Sequence, residues 1–420
     1  MKVFKFGGAS VKDADGVRNL ASIVSTYNDQ LVIVVSAMGK MTNALEELVR
    51  FYFQKDERKW EQLNVIKRYH QQIVSELFES SDEIFAELDS LFFKIEDRLH
   101  RKPSIDYDFE YDQLVCYGEL FSTLIVSSYL NKTGYENKWI DIRFSLKTNS
   151  EWRHAEIDWE LSDQLIGETF NFQSERCYLT QGFIGATPAD LTTTLGREGS
   201  DFTAAILAAV LHAEAVVVWK DVPGIMNADP KLFPNPEKID FMTYREAVEL
   251  TFFGAQIIHP KTIKPLFNRN IPLYVRSFLQ PEAKGTIIGP EVDGNASSQL
   301  PIYIVKPKQV LITLSQPDFS FMDEKSVSWL FETFGELGLR VNLFQHSALN
   351  LTISIDSPHH GVVDVIETLA EEFEVRYNDG LELLTIRNYT PESVARTLVG
   401  KRVYVEQRSR KIARFLVKNE

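Results

Sequence analysis

The sequence predicts an α/β sandwich with a mostly parallel sheet, followed by ferredoxin-like α+β modules. Two short apolar runs, residues 2–6 and 31–36, each lead through small residues into a helical pattern. Strands that are covered on both faces of a parallel sheet lack polar alternation, and these runs are typical of them. After a proline-, glycine- and polar-rich stretch at 289–301, the order becomes strand, helix, strand, strand, helix, strand, as in a ferredoxin-like unit. We therefore expect a first domain at 1–290 and a second region at 302–420.

The elements of the first domain follow from periodicity. The pattern at about 57–100 is helical and strongly charged, and Ser80 with Glu83 three residues later predicts the start of a second helix there. This insertion is either a lid or dimer surface, or an ordinary αα-hairpin. The α/β alternation then returns, with helices predicted at 115–130, 201–212 and 243–253 and strands at 138–142, 178–183, 215–219 and 271–276.

The tail is predicted to hold two related modules, the second one shortened. The first would have strands at 309–315, 339–345, 349–355, 373–377 and 381–387 and helices at 324–337 and 361–372. The second would have a helix at 391–398 and strands at 402–406 and 411–417.

Composition argues against several classes of function. The net charge of -14 is unlike that of a nucleic-acid-binding protein, which needs a basic face. No apolar run approaches the roughly 20 residues of a membrane span. The two cysteines, Cys116 and Cys177, are too few for a disulfide framework and lack metal-ligand spacing. We therefore expect a protein of the reducing cytoplasm, with no membrane and no nucleic-acid partner.

Glycine-rich turns after the predicted strands indicate anion binding. In VFKFGGAS, Gly7 and Gly8 let backbone N–H groups approach a ligand, and Lys5 adds a positive charge. The next loop, VVSAMGKMTN, repeats this design with Ser36 and Gly39. Because ligands of open α/β sheets bind at the carboxyl ends of the strands, the two loops would line one crevice.

A third loop, TTTLGREGSD, adds charged groups. Arg197 offers a bidentate fork to a carboxylate or phosphate. Asp201 either stabilises the start of the following helix or orients a nearby lysine. In the second loop, Thr42 or Asn43 is expected to cap the next helix. Neither a P-loop nor a dinucleotide-binding motif is present in the sequence.

Several ordered motifs together resemble those of aspartokinases, which belong to the amino-acid kinase superfamily. They are KFGGAS at 5–10, VVSAMG at 34–39, YGE at 117–119, TTLGREGSD at 193–201, WKDVPGIMNADP at 219–230, FGAQIIHP at 253–260 and KGTII at 284–288. The resemblance spans roughly residues 1–290 and implies an amino-acid-kinase-like αβα sandwich. The tail resembles the paired ACT domains of that family.

The resemblance implies a reaction and a set of site residues. Aspartokinases transfer the γ-phosphoryl group of MgATP to the β-carboxylate of L-aspartate, giving 4-phospho-L-aspartate and ADP, the first step of lysine, threonine and methionine biosynthesis. By this resemblance the catalytic residues are Lys5 and Asp201, and the aspartate-binding residues are Thr42, Glu119, Arg197 and Ser200. The ATP-binding residues would be Lys5, Gly7, Gly8, Ser36, Gly39, Lys220, Asp221, Met226, Lys231 and Lys261. Magnesium would enter with the nucleotide, without a dedicated protein site.

The ACT-like tail implies regulation by an amino acid, either lysine or threonine. By resemblance the effector would bind near Met322, Asp323, Val341, Asn342 and Gln345, usually between partner chains. A homodimer or larger oligomer formed through these modules is therefore expected. Taken one at a time, the same residues also suit ordinary cap and strand positions.

Five departures from the family pattern keep other functions open. The family commonly has threonine at Ala9, glycine at Glu198, threonine at Lys220, an aromatic residue at Met226 and often lysine at Gln256, where Lys261 could supply the missing cation. A catalytically weakened chain that senses amino acids as a regulatory subunit is one alternative. The other is a related amino-acid kinase whose substrate is a different carboxylate, such as glutamate, acetylglutamate or carbamate.

Overall fold

The computed structural model describes residues 1–255, 257–290, 299–318, 320–358 and 361–420. The described chain forms two compact units. The first contains residues 1–225, 238–248 and 257–290, and the second contains residues 226–237, 249–255 and those described from 299 to 420. Within the described ranges, no helix combines the length and the hydropathy needed to cross a membrane.

The first unit is built on an eight-stranded sheet. Its strands are β1 (Lys2–Phe6), β2 (Leu31–Val35), β3 (Lys138–Ile140), β4 (Cys177–Gln181), β7 (Ala215–Lys220), β8 (Phe241–Thr243), β9 (Leu273–Ser277) and β10 (Thr286–Gly289). Their order is β3-β4-β2-β1-β7-β9-β10-β8, and every pairing is parallel except that of β9 with β10. Two further strands, β5 (Ile184–Ala186) and β6 (Thr192–Thr194), pair with each other.

Helices connect these strands. They are α1 (Ala14–Ser25), α2 (Met41–Phe53), α3 (Arg58–Leu77), α4 (Ile84–His100), α5 (Tyr107–Val115), α6 (Tyr117–Lys132), α7 (Trp159–Thr169), α8 (Gly199–Val210), α9 (Tyr244–Phe252) and α10 (Pro260–Arg269), with a short 3-10 turn at Ile142–Phe144. All five residues of β2 are buried, because the sheet is covered on both faces. The predicted α/β sandwich with a mostly parallel sheet is confirmed.

Two predicted helix starts are wrong. Helix α2 begins at Met41, whose N–H donates to the carbonyl of Met38, so the chain is already turning before Thr42 and no side chain caps the helix. Helix α4 begins only at Ile84. The carboxylate of Asp82 accepts the N–H of Glu79 and pairs with a lysine of α6, so this stretch forms a separate turn.

The second unit contains a six-stranded antiparallel sheet. Its strands are β11 (Ile302–Ser315), β12 (Val341–His346), β13 (Asn350–Asp356), β14 (Glu374–Arg387), β15 (Lys401–Arg408) and β16 (Ile412–Asn419), in the order β12-β13-β11-β14-β16-β15. Its helices are α11 (Glu324–Glu336), α12 (Val363–Ala370) and α13 (Pro391–Thr397). The expected α+β modules are present in this sheet.

Two long strands run through both modules of the second unit. The strands predicted separately at 373–377 and 381–387 are one strand, β14, which pairs with β11 along most of its length. The register shifts between Lys306 and Leu311, where the two modules meet. Helix α13 lies in the part of the chain predicted as the second module.

A buried histidine in the helical insertion makes the stability of the first unit dependent on pH. His70 in α3 is fully buried, with Nδ1 2.8 Å from the carbonyl O of Ile66 and the ring packed on Phe121. Its Nε2 has no hydrogen-bond partner among the described residues. Burial lowers the pKa of His70 to about 4.

Because the unfolded chain binds this proton near pH 6.5 and the folded chain does not, stability should fall as the pH drops from 6.5 towards 4. The contribution of His70 to this loss is about 3 kcal/mol, from the shift of its pKa. We expect His70→Leu to be less sensitive to acid than the wild type when both are unfolded by urea at pH 5 and pH 7. Equal losses in the two proteins would contradict this assignment.

Candidate active site

A cleft of about 520 Å³ opens at the carboxyl ends of β1, β2 and β7 in the first unit. It brings together eight of the residues predicted from the sequence, namely Lys5, Ser36, Thr42, Glu119, Arg197, Ser200, Asp201 and Lys220. These residues come from five separate regions of the chain and meet because parallel strands end at the same edge of the sheet.

An ion pair between Lys5 and Asp201 lies in the cleft wall. The Nζ atom of Lys5 is 2.7 Å from Oδ1 of Asp201, and their side chains are 11% and 5% exposed. Lys5 is the fourth residue of β1, and Asp201 lies in the first turn of α8. Burial alone would raise the pKa of Asp201, but the charges of Lys5 and Lys220 outweigh it and hold this pKa below its ordinary value. The aspartate therefore stays ionised and aligns the lysine.

Glu119 faces the same cleft from the first turn of α6. Its Oε1 accepts the N–H of Ala37 at 3.1 Å, while Oε2 is buried without a hydrogen-bond partner among the described residues. Burial raises the pKa of Glu119 to about 8, against the opposing effect of the Ala37 hydrogen bond and the charge of Lys5. A buried carboxyl with a free oxygen is suited to receive a donor from a ligand.

The two glycine loops are joined by backbone contacts. The N–H of Gly39 donates to the carbonyl of Gly8 at 2.9 Å, and the N–H of Ser36 donates to Phe6. A Cβ at Gly8 would collide with the carbonyl O of Ala37, so only glycine permits this approach. Gly7 follows β1 beside Lys5, and a Cβ there would be 3.6 Å from Nζ. Gly7, Gly8 and Gly39 thus lie in the loops next to the cleft, outside its lining.

The segment before α8 carries Arg197 to the mouth of the cleft. Arg197 is exposed and forms no ion pair with any described residue. Its neighbour Glu198 has a left-handed backbone, with φ of 54°, and its Oε2 accepts the N–H of His259 at 2.7 Å. The left-handed conformation favours glycine, which the family commonly has at this position. Arg197 is therefore held on a constrained turn with its guanidinium available.

The other residues predicted for ATP are distributed more widely. Lys220 ends β7 and donates from Nζ to the carbonyl O of Ile257, and Asp221 is exposed directly after it. Met226 and Lys231 belong to segment 226–237, which is part of the second unit. Lys261 lies in a separate groove of about 610 Å³ that contains none of the other predicted residues. Its position at the start of α10 therefore does not support the interpretation of Lys261 as a cation in this cleft.

Eight further lining residues were not among the predicted site residues. They are Tyr111, Arg153, His154, Phe183, Thr194, Gly196, Glu198 and Gly199. Of these, Thr194, Gly196, Glu198 and Gly199 lie in the TTLGREGSD motif at 193–201. Phe183 follows β4, so the rule that ligands bind at the carboxyl ends of strands would have found it. Arg153 and His154 lie in an irregular loop between β3 and α7 and give no periodic signal.

Two positions at which the sequence departs from the family pattern have different outcomes. Gln256 lies outside the described residues, so the prediction about it is not tested. Ala9 is exposed in the loop after β1.

The residues predicted for the effector lie in the first module of the second unit. Met322 is buried, and Asp323 caps α11 by accepting the N–H of Ser326. Asn342 is buried and donates to Gln309 and Asp356. Val341 and Gln345 lie on β12, where Gln345 is exposed. Among the described residues, no group of three or more His, Cys, Asp or Glu side chains is arranged to hold a metal ion.

Comparison with known proteins identifies the family of this chain. The model of the amino acid kinase family matches residues 1–277. Lysine-sensitive aspartokinase 3 of Escherichia coli (strain K12) is 33% identical over 366 residues, which cover 84% of this chain and 78% of that protein. Bifunctional aspartokinase/homoserine dehydrogenase 2 of Arabidopsis thaliana is 29% identical, and the match covers 88% of this chain and 42% of that longer protein.

Solved structures agree with these matches. Two crystal structures of E. coli aspartokinase III are 27% identical to the chain and cover 99% of it. The complex with lysine and aspartate has a TM-score of 0.81 and is itself covered to 95%, and the complex with aspartate and ADP has a TM-score of 0.82 and is covered to 96%. The resemblance seen in the motifs is confirmed, and the chain belongs to the amino acid kinase family and, within it, to the aspartokinases.

Proposed function

We propose that the chain transfers the γ-phosphoryl group of MgATP to the β-carboxylate of L-aspartate, giving 4-phospho-L-aspartate and ADP. The observation that carries this proposal is the cleft in which the buried Lys5–Asp201 pair, the buried carboxyl of Glu119 and the unpaired guanidinium of Arg197 meet. In this cleft Lys5 would bind a phosphoryl group, and Glu119 and Arg197 would bind the ammonium and carboxylate groups of an amino acid. The aspartokinase relatives support the same substrate.

The amino-acid end of the cleft would recognise both charged groups of aspartate. Arg197 would bind the α-carboxylate through its bidentate fork, and Glu119 would accept hydrogen bonds from the ammonium group with its free Oε2. Thr42 and Ser200 would orient the side chain between them. This arrangement leaves the β-carboxylate directed towards Lys5.

The chemistry needs no general base. A free carboxylate has a pKa near ~4 and is ionised at neutral pH, so no proton has to be removed from the nucleophile. The barrier lies in bringing two anions together, and positioning with charge neutralisation lowers it. Lys5 would hold the transferring phosphoryl group, with Asp201 keeping Nζ in place. Bound magnesium would neutralise further phosphate charge.

The nucleotide would lie along the two glycine loops and the end of β7. The backbone around Gly7 and Gly8, with the side chains of Ser36 and Lys220, would hold the phosphate chain. Gly39, whose N–H already donates to Gly8, would shape the turn beside it. Asp221, Met226 and Lys231 are proposed for the nucleoside end from the family pattern. Magnesium fits this site only through the phosphates, because Asp201 already pairs with Lys5.

We also propose feedback control in a cytoplasmic oligomer of this chain. Residues 302–420 would be tandem ACT-like modules that bind lysine or threonine near Met322 and Gln345, and residues 1–290 the catalytic domain. The lysine-sensitive relative and its complex with lysine favour lysine as the effector. The free thiols of Cys116 and Cys177 are compatible with a reducing compartment.

Substrate choice separates this proposal from its alternatives. With MgATP, acyl phosphate trapped as hydroxamate should form faster with L-aspartate than with glutamate or N-acetylglutamate. If glutamate or N-acetylglutamate gives the strongest signal, the chain is an amino-acid kinase with another substrate. If no substrate produces ADP while lysine or threonine still binds, the chain is a sensing subunit.

The Lys5–Asp201 pair gives the first prediction of this proposal. Lys5→Ala should lower kcat by roughly 10²–10³-fold, because the transition state loses a charge in a water-poor site. A matched control is Lys147→Ala, since Lys147 is also buried and lies 2.7 Å from the carboxylate of Asp190, away from the cleft. The control should lose thermal stability and keep kcat. If both variants lose kcat equally, Lys5 has only a structural role.

The raised pKa of Glu119 gives a second prediction. Because Glu119 must ionise to hold the ammonium of aspartate, the dissociation constant should decrease as the pH rises through about 8. Binding at pH 6.5 should be roughly 30-fold weaker than above pH 8.5, from the gap between that pH and the pKa. Calorimetry in two buffers should also detect proton release. Glu119→Gln should bind weakly at every pH, and a wild-type affinity independent of pH would refute the role of Glu119.

The proposed effector region gives a third prediction. Gln345 is exposed on β12, so Gln345→Ala removes an amide without disturbing the core. The lysine concentration for half-inhibition should rise roughly tenfold, as expected for the loss of one hydrogen bond to a charged group. Lys418→Ala, at an exposed position of β16 in the second module, is the control. An unchanged inhibition curve for Gln345→Ala would refute the placement.

A further inference from the structure

We propose that Asp112 is a positioning residue that holds together the two loops lining the amino-acid end of the cleft, an inference that rests on the function proposed above. Asp112 is in α5 and is fully buried. Asp112 does not line the cleft, and it lies in none of the sequence motifs described above. Its role follows from the groups that its carboxylate binds.

The carboxylate of Asp112 accepts three hydrogen bonds from two other parts of the chain. Its Oδ2 accepts the backbone N–H of Arg153 and that of Thr194, each at 3.0 Å. Its Oδ1 accepts the hydroxyl of Thr194 at 2.6 Å. Arg153 belongs to the loop between β3 and α7, and Thr194 ends β6. One side chain therefore joins a helix, a loop and a strand.

The two segments joined by Asp112 also contact each other directly. The N–H of Ala155 donates to the carbonyl of Thr194 at 3.1 Å. Two residues after Thr194, Gly196 has φ of 77°, and a Cβ there would lie 2.9 Å from Nδ1 of His154. Because Arg197 follows directly, a shift of the Arg153 loop would move the backbone that carries the Arg197 guanidinium.

Because Asp112 is buried, the contacts that join the Arg153 loop and the Thr194 strand are sensitive to the loss of its carboxylate. Without an acceptor, the backbone N–H groups of Arg153 and Thr194 would be left unpaired, which is unfavourable where they are buried. Burial raises the pKa of Asp112 to about 6, although its hydrogen bonds and the charge of Arg153 act in the opposite direction. After burial, the charge of Asp112 is among the causes that raise the pKa of Tyr111 and that of Cys116, which lie in and directly after α5. Asp112 is therefore ionised at neutral pH and accepts all three hydrogen bonds.

The same helix supplies a matched control. Glu110 lies two residues before Asp112 and is also buried, at 3% exposure. Its carboxylate accepts the N–H of Ser104 at 2.7 Å and the Nε–H of Arg98 at 2.9 Å. Neither partner lines the cleft. Glu110→Ala thus removes a buried, hydrogen-bonded carboxylate from α5 without freeing a cleft loop.

We expect Asp112→Ala to raise the KM for aspartate by roughly 10- to 100-fold, the effect of misplacing a binding group by about 1 Å. The KM for ATP should stay within about threefold, since the nucleotide loops are not attached to Asp112. Asp112→Asn keeps a carbonyl oxygen for the two N–H groups and should restore most of the aspartate affinity. Glu110→Ala should lower the melting temperature and leave both KM values unchanged.

Hydrogen exchange separates a failure of this inference from a failure of the proposed function. The amides of Arg153 and Thr194 should lose protection in Asp112→Ala and keep it in Glu110→Ala, whatever the substrate is. If the wild type does not phosphorylate aspartate but these amides respond as expected, the proposed function is wrong and the positioning role of Asp112 is retained. If Asp112→Ala does not fold, Thr194→Val, which replaces the hydroxyl bound to Asp112 with a methyl group, should still raise the KM for aspartate several-fold and lower the protection of the Arg153 amide. Equal changes in both KM values, or equal effects of the Asp112 and Glu110 variants, would overturn the inference.

Discussion

The buried ion pair between Lys5 and Asp201 is the contact on which the active site depends. A lysine inside an apolar strand would be costly if its charge were unpaired, and a buried aspartate would otherwise take up a proton. The charge of Lys5 helps to hold the pKa of Asp201 below its ordinary value, and the pair attaches the first turn of α8 to β1. A second cation, Lys220, reinforces the ionised state of the aspartate. The strand, the helix and the phosphoryl end of the cleft are therefore organised around one short contact.

The residues that line the cleft differ in burial and charge: Lys5, Asp201 and Glu119 are buried, and Arg197 is exposed. In the proposed reaction the fixed charges of Lys5 and Lys220 would meet the phosphoryl group, and charges held in place before a ligand binds lower the barrier for charge development. Burial raises the pKa of Glu119 to about 8, and Arg197 extends from a constrained turn. We therefore propose that recognition of aspartate depends on the ionisation of Glu119 and on the loops held by Asp112. The family relationship supplies the reaction, and these local environments explain how the chain can perform it.

The sequence predicted what depends on local pattern. The strands β1, β2 and β7 were recognisable because continuous apolar runs are typical of covered parallel strands, and the glycine loops followed from them. The starts of α2 and α4 were mispredicted because a separate turn precedes each helix, around Met38 and around Asp82, and shifts the residue at which the helix begins. Two features depend on contacts between segments that are distant in the sequence. They are the part of the cleft lined by Arg153 and His154 and the hydrogen bonds that Asp112 accepts. No single-sequence periodicity reports such contacts.

If this cleft transfers a phosphoryl group to the side-chain carboxylate of aspartate with Lys5 as the essential cation, acyl phosphate must form only when aspartate is present. ³¹P NMR of MgATP incubated with the chain, with and without L-aspartate, measures this directly. We expect an acyl-phosphate resonance that grows with the loss of the γ-phosphate signal, requires aspartate and forms roughly 10²–10³-fold more slowly with Lys5→Ala. Release of inorganic phosphate at the same rate with or without aspartate, and no acyl phosphate, would rule out this transfer.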